Sequence, residues 1–182
     1  NGALGEDLSL SLELKVLADV GLVGFPNAGK STLISKISNS KPKISDYPFT
    51  TLSPNLGIVK YSEYKSFVMA DIPGLVEGAS KGKGLGSQFL RHIERTKVLA
   101  FIIDANSDSI EDDYTILKKE LLNHKPELNK LPKLILLSKI DTINDQDLSQ
   151  KKLPKNIKII KISSISGKNL ENAIKSIAYL VE

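Results

Sequence analysis

Leu8, Leu10, Leu12 and Leu14 alternate with polar residues, the period-two signature of a strand with one buried face. From Val16 to Phe25 the chain is mostly apolar and then breaks at Pro26, as a strand buried on both faces of a parallel sheet does. Residues 29 to 38 carry Leu33, Ile34 and Ile37 at helical spacing. Residues 56 to 61 and 66 to 71 predict two strands around the polar turn Ser62 to Lys65. A glycine-rich stretch, 78 to 86, precedes a predicted helix at 87 to 96 with Phe89, Leu90 and Ile93 on one face. Val98 to Asp104 predicts a strand. Ser109 is placed to cap a helix with Glu111, Asp112 and Asp113 in its first turn and Tyr114, Leu117 and Leu121 on its apolar face. Two more strands follow at Leu134 to Leu137 and at 157 to 162. A last helix aligns Leu170, Ala173, Ile174, Ile177, Ala178 and Val181 in one stripe. Strands alternating with helices predict an α/β fold: an open, mostly parallel six-stranded sheet with helices on both faces. Ligands of such sheets bind beyond the carboxyl ends of the strands.

Size and composition narrow the picture only a little. At 182 residues the chain fits one domain, expected over 15 to 182, with 1 to 14 the end of an upstream domain or a linker strand. The absence of cysteine excludes disulfides and thiolate metal sites. The longest wholly apolar run, Val98 to Ile103, falls far short of the ~20 residues that span a membrane. Residue 1 is Asn rather than Met and no secretory pattern follows, so an excised piece of a cytoplasmic protein is expected. A net charge of +4 suits a polyanionic partner, but a solvated lysine-rich surface explains it without one.

The chemistry lies in three motifs. Gly24, Phe25, Pro26, Asn27, Ala28, Gly29, Lys30 and Ser31 fit G-x-x-x-x-G-K-S. The glycines let backbone N–H groups curl around phosphate oxygens at a helix N-terminus, Lys30 reaches the terminal phosphates, and the Ser31 hydroxyl suits Mg²⁺. A chance glycine turn would not need a strand before it and a helix after it. Asp71, Ile72, Pro73 and Gly74 form D-x-x-G, in which the carboxylate can hold a magnesium-bound water and the Gly74 N–H can sense a γ-phosphate. Alone this is ordinary turn chemistry; after a phosphate loop it is informative. Ser138, Lys139, Ile140 and Asp141 follow an apolar strand, and Asp141 can accept from both N1–H and the 2-amino group of guanine. Adenine offers neither donor, so this carboxylate selects guanine strongly. The Lys139 stem can lie over the base, and Ser163, Ser164 and Ile165 offer backbone N–H groups to the guanine O6.

The strings "ADVGLVGFPNAGKSTL", "YPFTTLSPNLG", "DIPGLVEGAS", "GKGLGSQFLRHIERT", "SKID" and "SSISG" resemble those of the Obg GTPases, over about residues 11 to 182. The resemblance assigns Phe49, Thr50, Thr51, Leu52 and Ser53 to switch I, with the Thr51 hydroxyl completing the Mg²⁺ sphere beside Ser31. It implies a monomeric GTP-binding and slowly GTP-hydrolysing switch, with Lys30, Thr51 and Gly74 at the chemistry. It implies the large ribosomal subunit and its RNA as partner, no membrane, and sensitivity to guanine-nucleotide alarmones. The early leucines look like the end of the N-terminal domain that Obg proteins carry.

Three features depart from or extend that pattern. Ser138 stands where the family has Asn, and a hydroxyl cannot serve base and phosphate loop together, a loss of ~0.5–1.5 kcal/mol. Leu75 stands where Ras-like GTPases carry the glutamine that orients the attacking water, which implies slow turnover or outside help. Asn27 could ligate K⁺ beside the phosphates, an arrangement similar to that of potassium-activated GTPases, or it could simply stabilise the turn. His92 and His124 face no evident nucleophile and read as structural or surface residues. Two other jobs compete: a nucleotide-gated binding module with incidental hydrolysis, and an ATP-using relative made conceivable by Ser138.

Overall fold

The computed structural model describes residues 5, 18–38, 43–44, 55–71, 96–124 and 126–182. Among these, seven strands form one sheet: β1 (Val20–Val23), β2 (Lys43–Ile44), β3 (Asn55–Lys60), β4 (Ser66–Asp71), β5 (Val98–Asp104), β6 (Lys133–Ser138) and β7 (Lys158–Lys161). The order across the sheet is β2-β3-β4-β1-β5-β6-β7. β1 pairs in parallel with β4 and β5, and β5, β6 and β7 continue in parallel; only the β2–β3 and β3–β4 pairs are antiparallel. The six expected strands are present, and the two-residue β2 is added at one edge. The first strand is shorter than its apolar run suggests, because Gly24 and Phe25 already belong to the loop that leaves it. The expected strand at Leu8 to Leu14, the glycine-rich stretch 78 to 86 and residues 87 to 95 of the expected helix lie outside the described residues, and Thr96, the last residue of that expected helix, is not helical.

β5 explains why the central strands lack alternation. Leu99, Phe101 and Ile103 point to one face and Val98, Ala100 and Ile102 to the other, and all six are buried. Each fully buried Leu, Ile or Phe contributes roughly 1.5–3 kcal/mol over exposure. On the second face lie α1 (Lys30–Ile37), through Leu33, Ile34 and Ile37, and the last helix (Leu170–Val181), through Leu170, Ala173, Ile177 and Ala178. On the first lies α2 (Ile110–His124), whose Ile110, Leu117 and Leu121 are buried and whose Tyr114 ring meets Phe101 edge-on at 5.1 Å. Ser109 caps α2 as its position predicts: its hydroxyl accepts from the Asp112 N–H at 3.3 Å. The polar turn at Ser62 to Lys65 closes with the Tyr61 N–H donating to the Lys65 carbonyl at 3.1 Å.

Two elements have no periodic signal to announce them. Pro126–Lys130 is a short 3-10 helix that buries only Leu128. The six-residue α3 (Asp145–Gln150) begins at Asn144, whose side-chain oxygen accepts from the Asp147 N–H at 2.7 Å, and buries only Leu148. One buried residue gives no period to read. The last helix is α4.

Candidate functional site

The parallel strands bring the ends of β4, β1, β5, β6 and β7 to one edge of the sheet. β3 runs the other way, so its first residue, Asn55, enters at that same edge, next to Asp71 at the end of β4. The phosphate-loop residues leave the central strand, with Asp71 on one side and Ser138 to Asp141 and Ser163 to Ile165 on the other.

Local geometry explains the loop's composition. A Cβ on Gly24 would meet the Ile102 carbonyl oxygen at 2.5 Å, so only a glycine lets the loop leave β1 this close to β5. Gly29 caps α1 with φ 101°, a left-handed conformation that side chains rarely adopt. Asn27 is also left-handed, at φ 62°, which asparagine tolerates better than most residues; it is exposed and makes no side-chain hydrogen bond among the described residues. Pro26 is exposed, Phe25 half-buried and Ala28 buried. The first turn of α1 contains no acid and takes no side-chain cap, so its N–H groups are left for an anion. The Lys30 ammonium bends back over the loop and donates to the Gly24 and Phe25 carbonyls at 2.9 and 3.0 Å.

Asp71 is buried beside this loop. Its Oδ2 accepts from the Ser31 hydroxyl at 3.5 Å, and that hydroxyl in turn accepts from the Asn55 amide at 3.4 Å. Its Oδ1 is buried with no hydrogen-bond partner among the described residues, and the Lys30 ammonium stands 4.0 Å away, in ion-pair range only. Burial pushes the Asp71 carboxyl above the usual carboxylate range; the Lys30 charge and the Ser31 and Asn55 bonds pull it back only in part. Sequence reasoning missed Asn55, since its place depends on the antiparallel entry of β3.

On the other side, Ser138 is buried, and its hydroxyl donates toward the Ala28 carbonyl at 2.7 Å and the Ile103 carbonyl at 3.1 Å. The residue therefore joins the end of β6 to the phosphate loop, which is half of the task expected of the asparagine it replaces. The Ile140 N–H donates to the Ile162 carbonyl at 3.3 Å, which brings the two expected base segments together. Asp141 is exposed. Ser163 is buried, with its hydroxyl accepting from the Ser166 N–H at 3.0 Å; Ser164 is half-buried and Ile165 is 76% exposed. The Lys139 ammonium donates to Asp104 Oδ2 at 2.7 Å. Burial alone would raise Asp104, but the Lys139 ammonium and two donations from Asn106 outweigh it and hold the carboxyl below its usual range. Asp104 ends a wholly apolar strand, which was the available signal for it. Phe49, Thr50, Thr51, Leu52, Ser53, Ile72, Pro73, Gly74 and Leu75 lie outside the described residues, as does His92.

Residues 19–139 match the family described as 50S ribosome-binding GTPase. GTPase Obg of Pelodictyon phaeoclathratiforme is 60% identical over 170 residues, covering 93% of this chain and 50% of its own length. GTPase Obg of Chlorobaculum tepidum is 56% identical with the same coverage. The chain thus spans about half the length of the curated relatives it matches. A crystal structure of an Aquifex aeolicus Era variant bound to GDP.AlF4⁻ is 28% identical and superposes with a TM-score of 0.66, covering 93% of this chain and 58% of that one. No helix among the described residues is long and apolar enough to cross a membrane. The chain belongs to the family of 50S ribosome-binding GTPases, and within that family its likeness is to the GTPase Obg proteins.

Proposed function

We propose that the chain binds GTP and GDP with Mg²⁺ and hydrolyses GTP slowly, as a switch acting in large ribosomal subunit assembly. The observation that carries this reading is the meeting of Lys30, Ser31 and Asp71 at an uncapped helix start, on the same sheet edge as Ser138 to Asp141. A terminal phosphate would take over the Lys30 ammonium from the Gly24 and Phe25 carbonyls. Asp141, exposed at the end of β6, would accept from guanine, with Ser163 to Ile165 at the O6 edge. Ser31 and Asp71 fit Mg²⁺: the buried Asp71 Oδ1, with no hydrogen-bond partner among the described residues, would accept from a metal-bound water, and Thr51 would add the second hydroxyl. Held there, Mg²⁺ would neutralise charge developing on the phosphate oxygens.

Lys30 balances charge at the terminal phosphates, and Gly74 would offer its N–H to the γ-phosphate. Leu75 has no group to orient water, so turnover by the chain alone falls well below the ~1–100 s⁻¹ of kinases. The description of its family, 50S ribosome-binding GTPase, supports the ribosomal partner. K⁺ at Asn27 would supply the positive charge that this site otherwise lacks.

The test is turnover and co-sedimentation with large-subunit particles, with GTP and ATP in competition. GTP-dependent association with stimulated turnover is expected. Association indifferent to nucleotide and abolished by moderate salt would reduce the partner claim to basic-surface adhesion. Nucleotide-dependent association without stimulated turnover would make the chain a nucleotide-gated binding module. Equal competition by ATP would end the guanine assignment.

A further inference from the structure

Lys139 is held at both ends by one closed circuit of hydrogen bonds. Its backbone lies in the left-handed region at φ 56°, which a residue with a side chain adopts only when its surroundings enforce it. At the far end of the side chain, the ammonium donates to Asp104 Oδ2 at 2.7 Å. At the near end, the Lys139 carbonyl accepts from the Thr142 hydroxyl at 2.8 Å and from the Thr142 N–H at 3.0 Å. Asn106 joins the two ends. Its amide donates to Asp104 Oδ1 at 2.9 Å and to the Thr142 hydroxyl at 2.7 Å, and its backbone N–H donates to Asp104 Oδ1 at 2.9 Å. Both amide hydrogens are used, so one orientation of Asn106 satisfies the circuit.

The neighbouring residue makes this circuit necessary. The Ser138 hydroxyl has a single hydrogen, and both oxygens near it are carbonyls of the phosphate loop and β5. Its one donor is therefore directed away from the segment that follows. We infer that Asp104, acting with Asn106, is the positioning residue that fixes the Lys139 stem as one wall of the guanine pocket. The inference rests on the reading that Lys139 and Asp141 flank a guanine base. An ordinary surface ion pair is the plainer account, since the Lys139 and Asp104 side chains are 38% and 28% exposed. A surface pair, however, requires neither two further donors on the same carboxylate nor a link to the backbone of its own lysine.

The experiment titrates GDP, and separately pyrophosphate as a probe of the phosphate loop alone, into the 182-residue chain and its variants. Asp104→Asn should raise the GDP Kd roughly five- to tenfold, as the loss of one charge-assisted bond does, and leave the pyrophosphate Kd unchanged. Lys139→Met keeps an unbranched stem without its charge, and in that background Asp104→Asn should add nothing. Asn106→Ala, which spares the ion pair, should raise the GDP Kd by a smaller factor. An unchanged GDP Kd in Asp104→Asn, an equal shift for GDP and pyrophosphate, or an undiminished effect in the Lys139→Met background overturns the inference. Asp141→Asn tests the base site independently. If that variant prefers xanthosine diphosphate while Asp104→Asn is silent, the positioning role alone fails. If it still prefers GDP, the base site itself is misassigned.

Discussion

The Ser138 hydroxyl lies 2.7 Å from the Ala28 carbonyl, so a residue at the end of β6 holds the middle of the phosphate loop. The proposed base and phosphate segments are thereby joined through one buried oxygen. Ser138→Ala removes that tie and strands a buried carbonyl. It should cost about 1 kcal/mol in chemical denaturation and weaken GDP binding about fivefold. Ser138→Asn should act the other way, since an amide can reach the loop and the base together. A titration in which asparagine binds GDP no better than serine would count against this account.

Gly24 is held against β5. A methyl group at this position meets a backbone carbonyl oxygen at 2.5 Å rather than a side chain that could rotate away. Gly24→Ala should therefore destabilise the chain by roughly 1–3 kcal/mol, the range for forced overpacking, and lower GDP affinity with it. Denaturant midpoints decide it. A variant within a few tenths of the parent would mean that the loop can shift outward without penalty.

Asp71 is expected to destabilise the metal-free protein. Its folded-state pKa is raised above the unfolded value, so the ionised form carries a penalty at neutral pH that disappears as pH falls through the folded pKa. Asp71→Asn, nearly the same shape without the charge, should raise the Tm of the metal-free chain near pH 7 and flatten this part of its pH dependence. The lost attraction to Lys30 opposes this, but burial is the larger cause. The same variant should lose most of the stabilisation that Mg²⁺ and nucleotide give the parent. A metal-free Tm that falls would show the Lys30 pairing to be the dominant influence.

Much of this architecture was legible because the central strands are buried on both faces and read as unbroken apolar runs. Val98 to Asp104 and Ser66 to Asp71 match the structure to the residue. The motif residues were legible because phosphate chemistry restricts side-chain type: Gly24 and Gly29 each answer a specific backbone demand. Asn55 and Asn106 were not legible. Each works through a partner far away in sequence, Ser31 and Thr142 respectively, and only the register of the sheet brings them together. Ser138 was legible as a departure from the family, but its bond to Ala28 across 110 positions of chain was not.

Asn27 separates two roles that one substitution would confuse. Its backbone is left-handed at φ 62°, and its exposed amide makes no bond among the described residues, so the turn employs its conformation while the side-chain oxygen stays available. Replacing it with alanine strains the backbone and removes the amide together. Asn27→Gly removes only the amide, because glycine takes positive φ at no steric cost. If the amide oxygen ligates K⁺ beside the phosphates, GTP hydrolysis by the parent should be faster in K⁺ than in Na⁺ at equal ionic strength. Both variants should lose that difference. GDP affinity should survive in the glycine variant and drop modestly in the alanine variant, since a strained turn costs of order 1–2 kcal/mol. Single-turnover rates in the two salts provide the measurement. Equal rates in the parent would leave Asn27 as a turn residue alone. A salt difference that persists in Asn27→Gly would place the cation on other oxygens.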